Sequence, residues 1–294
     1  MTSILFTVLS LLLSLAVVQA FSSITNKPTV VVCPGFGNAV VDYITPLGAD
    51  ESTGFKSVLE RRGFSVKIVP VERYDWIRVA LGLFDPAFWQ NNQLASGLAY
   101  GWYLKKTLET IDSCSTDDCG VLVVGHSAGG WLARAALADG IPNVCGLVTL
   151  GAPHAPPPAG INCATRGALK NTDAAFPGAF LTRIPYITVA GNSLTGGAVT
   201  QREVDNVYSK RGEGSAQNVA KVNYEALVGA FEGISGDGVI PVLIAHLRGS
   251  EQITLDGVLH SINEAGTTMP TDSWYGSEKV VDRWLSKTLE KLNL

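Results

Sequence analysis

Three residues of this chain have types and spacing that suit nucleophilic chemistry: Ser127, Asp237 and His260. Ser127 stands in Gly125-His126-Ser127-Ala128-Gly129 and Asp237 in Gly236-Asp237-Gly238, while His260 follows Val258-Leu259. A serine hydroxyl is a weak nucleophile until a base removes its proton. That base needs an acid to fix its tautomer and steady the imidazolium. Serine, acid, base is the chain order expected when a nucleophile sits on a strand-to-helix turn of an open α/β sheet. Ser127 is therefore the candidate nucleophile, Asp237 the acid and His260 the base. Asp205, Glu225, Glu232 and Asp256 compete for the acid, and His246 competes for the base. His154 precedes every plausible acid. His126 is the x of Gly-x-Ser and is expected to pack structurally.

These side chains need elements to hold them. Val121–Val124 reads as a short buried strand, and Trp131, Leu132, Ala135 and Ala136 fall at helical spacing. Strand, Gly-x-Ser-x-Gly, helix is the context of a nucleophile elbow, in which the glycines leave room for crossing backbones. Upstream, the strand Pro28–Cys33 opens into Pro34-Gly35-Phe36-Gly37-Asn38. The backbone N–H groups of Phe36 and Ala128 are the expected oxyanion donors. Losing one side-chain donor of this kind costs an enzyme about 3–4 kcal/mol of transition-state stabilisation.

The rest of the chain supplies the scaffold. Further strands are expected at Phe64–Val69, Val144–Leu150, Pro185–Gly191 and Gln252–Leu255. Helices are expected at Asp50–Arg62, Gly97–Ile111, Asn218–Glu232 and Trp274–Leu292. Strands alternating with helices predict an α/β architecture, a mostly parallel central sheet of about six strands with helices on both faces. One domain is expected over 29–294, with an aromatic-rich insertion at 72–103 and an excursion at 192–236. The insertion holds Tyr74, Trp76, Phe84, Phe88, Trp89, Tyr100, Trp102 and Tyr103. It suggests an apolar wall or a membrane-contacting lip, with Trp76 and Trp89 as substrate-binding candidates. Asp75 and Arg78 beside Trp76 are placed to pair. The rigid exit Gly151-Ala152-Pro153-His154-Ala155-Pro156-Pro157-Pro158 is expected at the pocket rim, which makes His154 a substrate-binding candidate.

A chain of 294 residues, 46% hydrophobic, can bury a large single core. Its net charge of −4 and scattered basic residues give no footprint for nucleic acid. No metal-ligand spacing appears, and no cofactor or metal is expected. Met1–Ala20 reads as a signal peptide, apolar over Ile4–Val18 and ending Val18-Gln19-Ala20, with 21–28 as leader or linker. Its amino-terminal region lacks lysine and arginine. The expected destination is the secretory pathway. Because Phe21 follows the cleavage point, a bipartite plastid leader is the alternative. Cys114 and Cys119 could close a small loop as a disulfide after export, whereas Cys33 and Cys145 lie beside apolar runs as buried thiols. No Asn-x-Ser/Thr sequon is present.

The blocks GHSAGGWLAR, LGAPHAPPP, GDGVIPVLIAHL, DGVLHS and WYGSEKVVDRWL resemble those of a plant and algal plastid-type α/β-hydrolase family, lipase-like and related to the GPI inositol-deacylase lineage. The resemblance runs from about Thr29 to Leu289. It implies an α/β-hydrolase fold and ester hydrolysis, with Ser127, Asp237 and His260 in the triad positions. Pro34-Gly35-Phe36-Gly37 stands where many lipases carry His-Gly, a change that removes no backbone donor. The expected substrate is a small-molecule or lipid acyl ester, with peripheral membrane contact. An acyltransferase or thioesterase with the same triad, and a non-catalytic binding protein of the same fold, are the other readings.

Overall fold

The computed structural model describes residues 27–114, 120–138, 140–141, 143–197, 215–263 and 271–294. The expected leader up to residue 26, the Cys119 half of the expected disulfide, Asp205 and the 198–214 part of the excursion lie outside them.

Six strands form one parallel sheet: β1 (Thr29–Cys33), β2 (Val66–Ile68), β3 (Val121–His126), β4 (Val144–Leu150), β5 (Tyr186–Asn192) and, after a small pair made by β6 (Leu194–Thr195) and β7 (Ser235–Gly236), β8 (Glu251–Asp256). The spatial order is β2-β1-β3-β4-β5-β8. From β1 the chain first steps outward to β2, then returns to lay β3 on the other side of β1. The strand order therefore reverses between β1 and β3. In open parallel sheets the crevice outside the strands' carboxyl ends at such a reversal is where ligands bind. The loop holding Phe36 leaves the carboxyl end of β1, and Ser127 leaves that of β3, so both flank this crevice.

The period-two alternation of strand side chains divides the core between the two faces. Val31 and Cys33 of β1 and Val121 and Val123 of β3 share one cluster with Tyr103, Trp131, Leu132 and Leu169. Val30, Val32, Leu122 and Val124 share the other with Tyr43, Phe55, Val280 and Trp284. The near-unbroken apolar strands follow from this burial on both faces. Helices α1 (Val40–Ile44) and α2 (Phe55–Glu60) cover the second face. Helix α3 (Pro86–Trp89) belongs to the aromatic-rich segment. Helices α4 (Gly101–Asp112), α5 (Ala128–Ala136) and α6 (Ala168–Ala175) cover the first face. Helix α7 (Ser215–Val228) packs over the β6–β7 pair, α8 (Val242–Ala245) is one short turn, and α9 (Glu278–Leu292) closes the second face. The parallel sheet, its reversal and its two helical layers are those of the α/β-hydrolase fold.

Several boundaries differ from the sequence reading. The helix expected over Asp50–Arg62 splits into a 3-10 turn, Glu51–Thr53, and α2. Gly54 separates them, packed so that a Cβ there would lie 2.0 Å from the Ile44 carbonyl oxygen. The last helix starts at Glu278 rather than Trp274 because Trp274 and Tyr275 are in the loop that pairs with Leu259. Arg73–Phe84 winds as a long 3-10 helix. The buried Asp75 carboxylate anchors it, accepting the Glu72 N–H at 3.0 Å and pairing with Lys106 at 2.7 Å and Arg78 at 3.4 Å.

Candidate active site

Ser127 joins β3 to α5 with φ 52° and ψ −127°. A non-glycine residue reaches positive φ only under strain, which its surroundings must hold. Its N–H donates to the Leu150 carbonyl at 2.9 Å, and its carbonyl accepts the Gly130 N–H at 2.9 Å. The flanking glycines are required by proximity. A Cβ on Gly125 would sit 2.4 Å from the Gly130 Cα, and one on Gly129 would sit 2.2 Å from the Cys33 carbonyl oxygen. The turn thus presses directly against the end of β1.

His260 follows β8 on the loop that turns back along the carboxyl edge. Its Nε2 lies 2.9 Å from Ser127 Oγ and its Nδ1 lies 2.8 Å from Asp237 Oδ2. The His260 N–H also donates to the Asp237 carbonyl at 3.0 Å. Asp237 arrives by way of the β6–β7 pair, which brings the excursion back to the end of β5. Its Oδ1 accepts the N–H groups of Val239 at 3.0 Å and Ile240 at 2.7 Å, a turn aspartate bonding its own backbone. Its Oδ2 accepts the Tyr275 hydroxyl at 2.8 Å as well as facing His260. Tyr275 in turn accepts the Gly191 N–H at 2.6 Å. The carboxylate is 1% exposed. Four polar partners meet its two oxygens, so the buried group is fully hydrogen-bonded. Val219 of α7 helps line a small cleft of about 140 Å³ beside Asp237 and His260.

The β1 loop closes on the serine from the other side. A Cβ on Gly35 would come within 2.9 Å of Ser127 Cβ, so the next peptide, carrying the Phe36 N–H, is a near neighbour of Oγ. Among the described residues, neither the Phe36 nor the Ala128 N–H is spent on a protein acceptor. Ala128 also opens α5, whose helix dipole favours negative charge at that end. The arrangement offers a hydroxyl, a base, a buried acid and two donors around one point.

Other expected residues lie elsewhere. Trp76 does not line the site: it is 5% exposed, its indole N–H donates to the Asn38 carbonyl at 2.9 Å, and its ring packs 5.0 Å from Phe36. It supports the β1 loop from beneath, because the 3-10 helix turns it inward. Trp89 is 68% exposed, with its indole N–H on the Leu83 carbonyl at 3.1 Å. His154 is not on a rim. It is 2% exposed, its Nε2 is 3.0 Å from Thr149 Oγ1, and its backbone is pinned to Ile244. Burial, reinforced by Arg134, pushes its imidazole well below the usual histidine range. The competing His246 bonds Thr188 and Thr254, each at 3.0 Å. Asp256 accepts from Asn192 at 2.9 Å.

Tyr275 and Tyr43 are contacts that the sequence reading missed. Tyr43 stands in no segment singled out above, and Tyr275, although it lies in the block WYGSEKVVDRWL, carries no local sign of its contact with Asp237, so only the folded chain brings them in. Two clefts, about 750 Å³ beside Arg61 and Trp274 and about 570 Å³ between α4 and α6, contain none of Ser127, Asp237 and His260. Among the described residues no three histidine, cysteine or carboxylate groups cluster as metal ligands would.

The PGAP1-like alpha/beta domain family matches residues 98–197, the stretch that holds β3, the Ser127 turn, β4 and β5. No curated protein matches the chain by sequence. Solved structures similar to it include lipase 1 from Pelosinus fermentans, at 10% identity and TM-score 0.48 over 92% of this chain and 100% of that one. The metagenomic carboxyl esterase MGS0156 is similar at 12% identity and TM-score 0.49, over 90% and 77% of the two chains. Est1E from Butyrivibrio proteoclasticus, solved with ferulic acid bound, is similar at 11% identity and TM-score 0.44, over 92% of each.

Proposed function

We propose that this chain is a serine hydrolase of lipase type that cleaves carboxylic esters through an acyl-enzyme on Ser127. The observation that carries the reading is the His260 imidazole held between Ser127 Oγ at 2.9 Å and Asp237 Oδ2 at 2.8 Å on a strained strand-to-helix turn. His260 Nε2 takes the Oγ proton as Oγ attacks the ester carbonyl carbon. The N–H groups of Phe36 and Ala128 hold the resulting oxyanion. Collapse of the tetrahedral adduct expels the alcohol, which takes the proton from His260. Water then gives a proton to His260, attacks the acyl-enzyme and releases the acid, returning Ser127 to its hydroxyl form. Asp237 keeps Nδ1–H pointed at itself throughout.

An apolar acyl ester suits the exposed surface beside the β1 loop. Phe36, Tyr74, Ile77, Phe84 and Trp89 are each more than 60% exposed. Four of these five exposed apolar groups come from the aromatic-rich segment, and peripheral contact of that segment with a lipid surface is part of the proposal. So is the lineage: a lipase-like enzyme related to GPI inositol deacylases, entering the secretory pathway on a cleaved leader.

Ser127→Ala tests the chemistry. Turnover of a chromogenic acyl ester should fall by about 10³-fold or more, with circular dichroism unchanged, and a fluorophosphonate should label Ser127 in the parent protein only. Undiminished turnover in the variant sinks the reading. A parent protein that the fluorophosphonate does not label favours a binding protein. Faster acyl-enzyme breakdown with an added alcohol or thiol than with water favours a transferase.

A further inference from the structure

His126, the residue just before the nucleophile, has both ring nitrogens engaged. Nδ1 lies 2.9 Å from the Tyr43 hydroxyl, and Nε2 lies 2.9 Å from the His260 carbonyl oxygen. The Tyr43 oxygen also accepts the Gly35 N–H at 2.9 Å and an Asn38 side-chain N–H at 3.1 Å. These contacts leave one consistent set of protons. The Tyr43 oxygen already receives two N–H groups, so its own proton goes to Nδ1. The His260 carbonyl has no proton to give, so Nε2 must carry one. His126 is therefore neutral, with its hydrogen on Nε2. Burial, with the nearby His260 adding to it, pushes this imidazole down to about 3, in agreement with that assignment. Burial also holds the Tyr43 hydroxyl in its protonated form.

The chain of bonds connects two parts of the site that come from opposite ends of the sequence. Gly35 and Asn38 bracket Phe36 in the β1 loop, and the carbonyl of His260 belongs to the base itself. We propose that His126, through Tyr43, is a positioning residue that sets the oxyanion loop and the backbone of His260 in one register. This rests on the esterase reading above. The Trp274 ring, 5.9 Å from His126 and 6.3 Å from Tyr43, walls the pair, so neither ring has room to turn away. A hydrogen-bonded network of this kind is worth more intact than its separate bonds suggest. Small displacements of a donor or base are also costly: about 1 Å of misplacement can lose 100-fold in rate.

Tyr43→Phe keeps the ring and removes the hydroxyl, and His126→Phe removes both ring nitrogens at a modest gain in volume. In each, kcat per fluorophosphonate-titrated site should fall about 10- to 100-fold, while KM for a short soluble ester changes by only a few-fold. The inhibition constant of a trifluoromethyl ketone, which forms the tetrahedral adduct, should rise in parallel with the loss in kcat/KM. The double variant should be little worse than either single one, because both cut the same chain. A purely structural role would lower the titrated fraction and leave kcat per site unchanged, and that result overturns the inference. ¹⁵N NMR of the histidines in the resting protein needs no substrate. It should find His126 neutral, protonated at Nε2, with an Nδ1 resonance that moves in Tyr43→Phe. A cationic His126, an Nδ1–H tautomer or an unmoved resonance overturns the inference even if Ser127 proves inert. Failure of the esterase reading is seen separately, as a wild-type protein that neither turns over the ester nor takes the label.

Discussion

Ser127 carries two burdens that can be measured apart, its hydroxyl and its backbone. Its φ of 52° is set by the Leu150 and Gly130 hydrogen bonds and by the close approach of β1. Replacing it by alanine or by glycine removes the hydroxyl in both cases, but only glycine accepts that φ without cost. Ser127→Gly should therefore be more stable than Ser127→Ala by about 1 kcal/mol, and both should be inactive. Urea denaturation of the two variants checks this, and equal midpoints would mean the turn is unstrained. The strained turn at Ser127 was legible in the sequence because such a turn needs small neighbours within two residues, and local patterns record local constraints. Tyr275 was not legible. It touches Asp237 across 38 residues, and nothing near Tyr275 in the chain reports that contact.

At the scale of elements, the approach of α5 to β1 decides whether the loop carrying Phe36 can face the serine. Gly129 is the contact point, with the Cys33 carbonyl oxygen 2.2 Å from where a Cβ would be. Gly129→Ala must push α5 away from β1. It should cost about 3 kcal/mol of stability and a larger share of activity than its folded fraction accounts for, checked by thermal melting and active-site titration. The aromatic-rich segment is a second element-scale case. Its composition marked it out, yet the inward or outward direction of each ring depended on its 3-10 winding. Trp76 turned under the β1 loop while Trp89 stayed on the surface. If the outer rings meet lipid, Phe84→Ser with Trp89→Ser should weaken hydrolysis of vesicle-borne esters about tenfold or more, each exposed ring having contributed transfer energy of roughly 1–3 kcal/mol. Hydrolysis of a soluble short-chain ester should be unchanged. Equal losses on both substrates would place the rings in the site rather than at an interface.

The whole molecule stores neutral histidines in its interior, which makes its stability depend on pH. His126 titrates near 3 when folded, and His154 is held well below the usual range. In the unfolded chain a histidine titrates near about 6.5. Below that pH the unfolded chain takes up protons that the native state refuses. Stability is then fully present above about pH 6.5 and falls as the medium acidifies toward the folded values. The slope approaches about 1.4 kcal/mol per pH unit for each such histidine. Urea midpoints between about pH 6.5 and 4.5 should show this loss, and His126→Phe should remove one histidine's share of the slope. An unchanged slope in that variant would mean His126 gains its proton without unfolding.

Much of this protein was determined by its sequence alone: the alternation of strands and helices, the elbow at Ser127, and the order of serine, acid and base. Each depends on hydrophobic periodicity or on turn chemistry within a few residues, and both are written locally. The tertiary structure alone decided which residues surround those groups. It brought Asp237 and His260, already the favoured candidates, within hydrogen-bond reach of each other and of Ser127 by returning the β6–β7 pair and the β8 loop to one sheet edge. It buried His154, which a proline-rich loop had suggested for the rim. It also turned His126 from a spacer in a motif into the link between Gly35 and His260. Such contacts join segments more than 80 residues apart, and long-range packing, not local pattern, determines them.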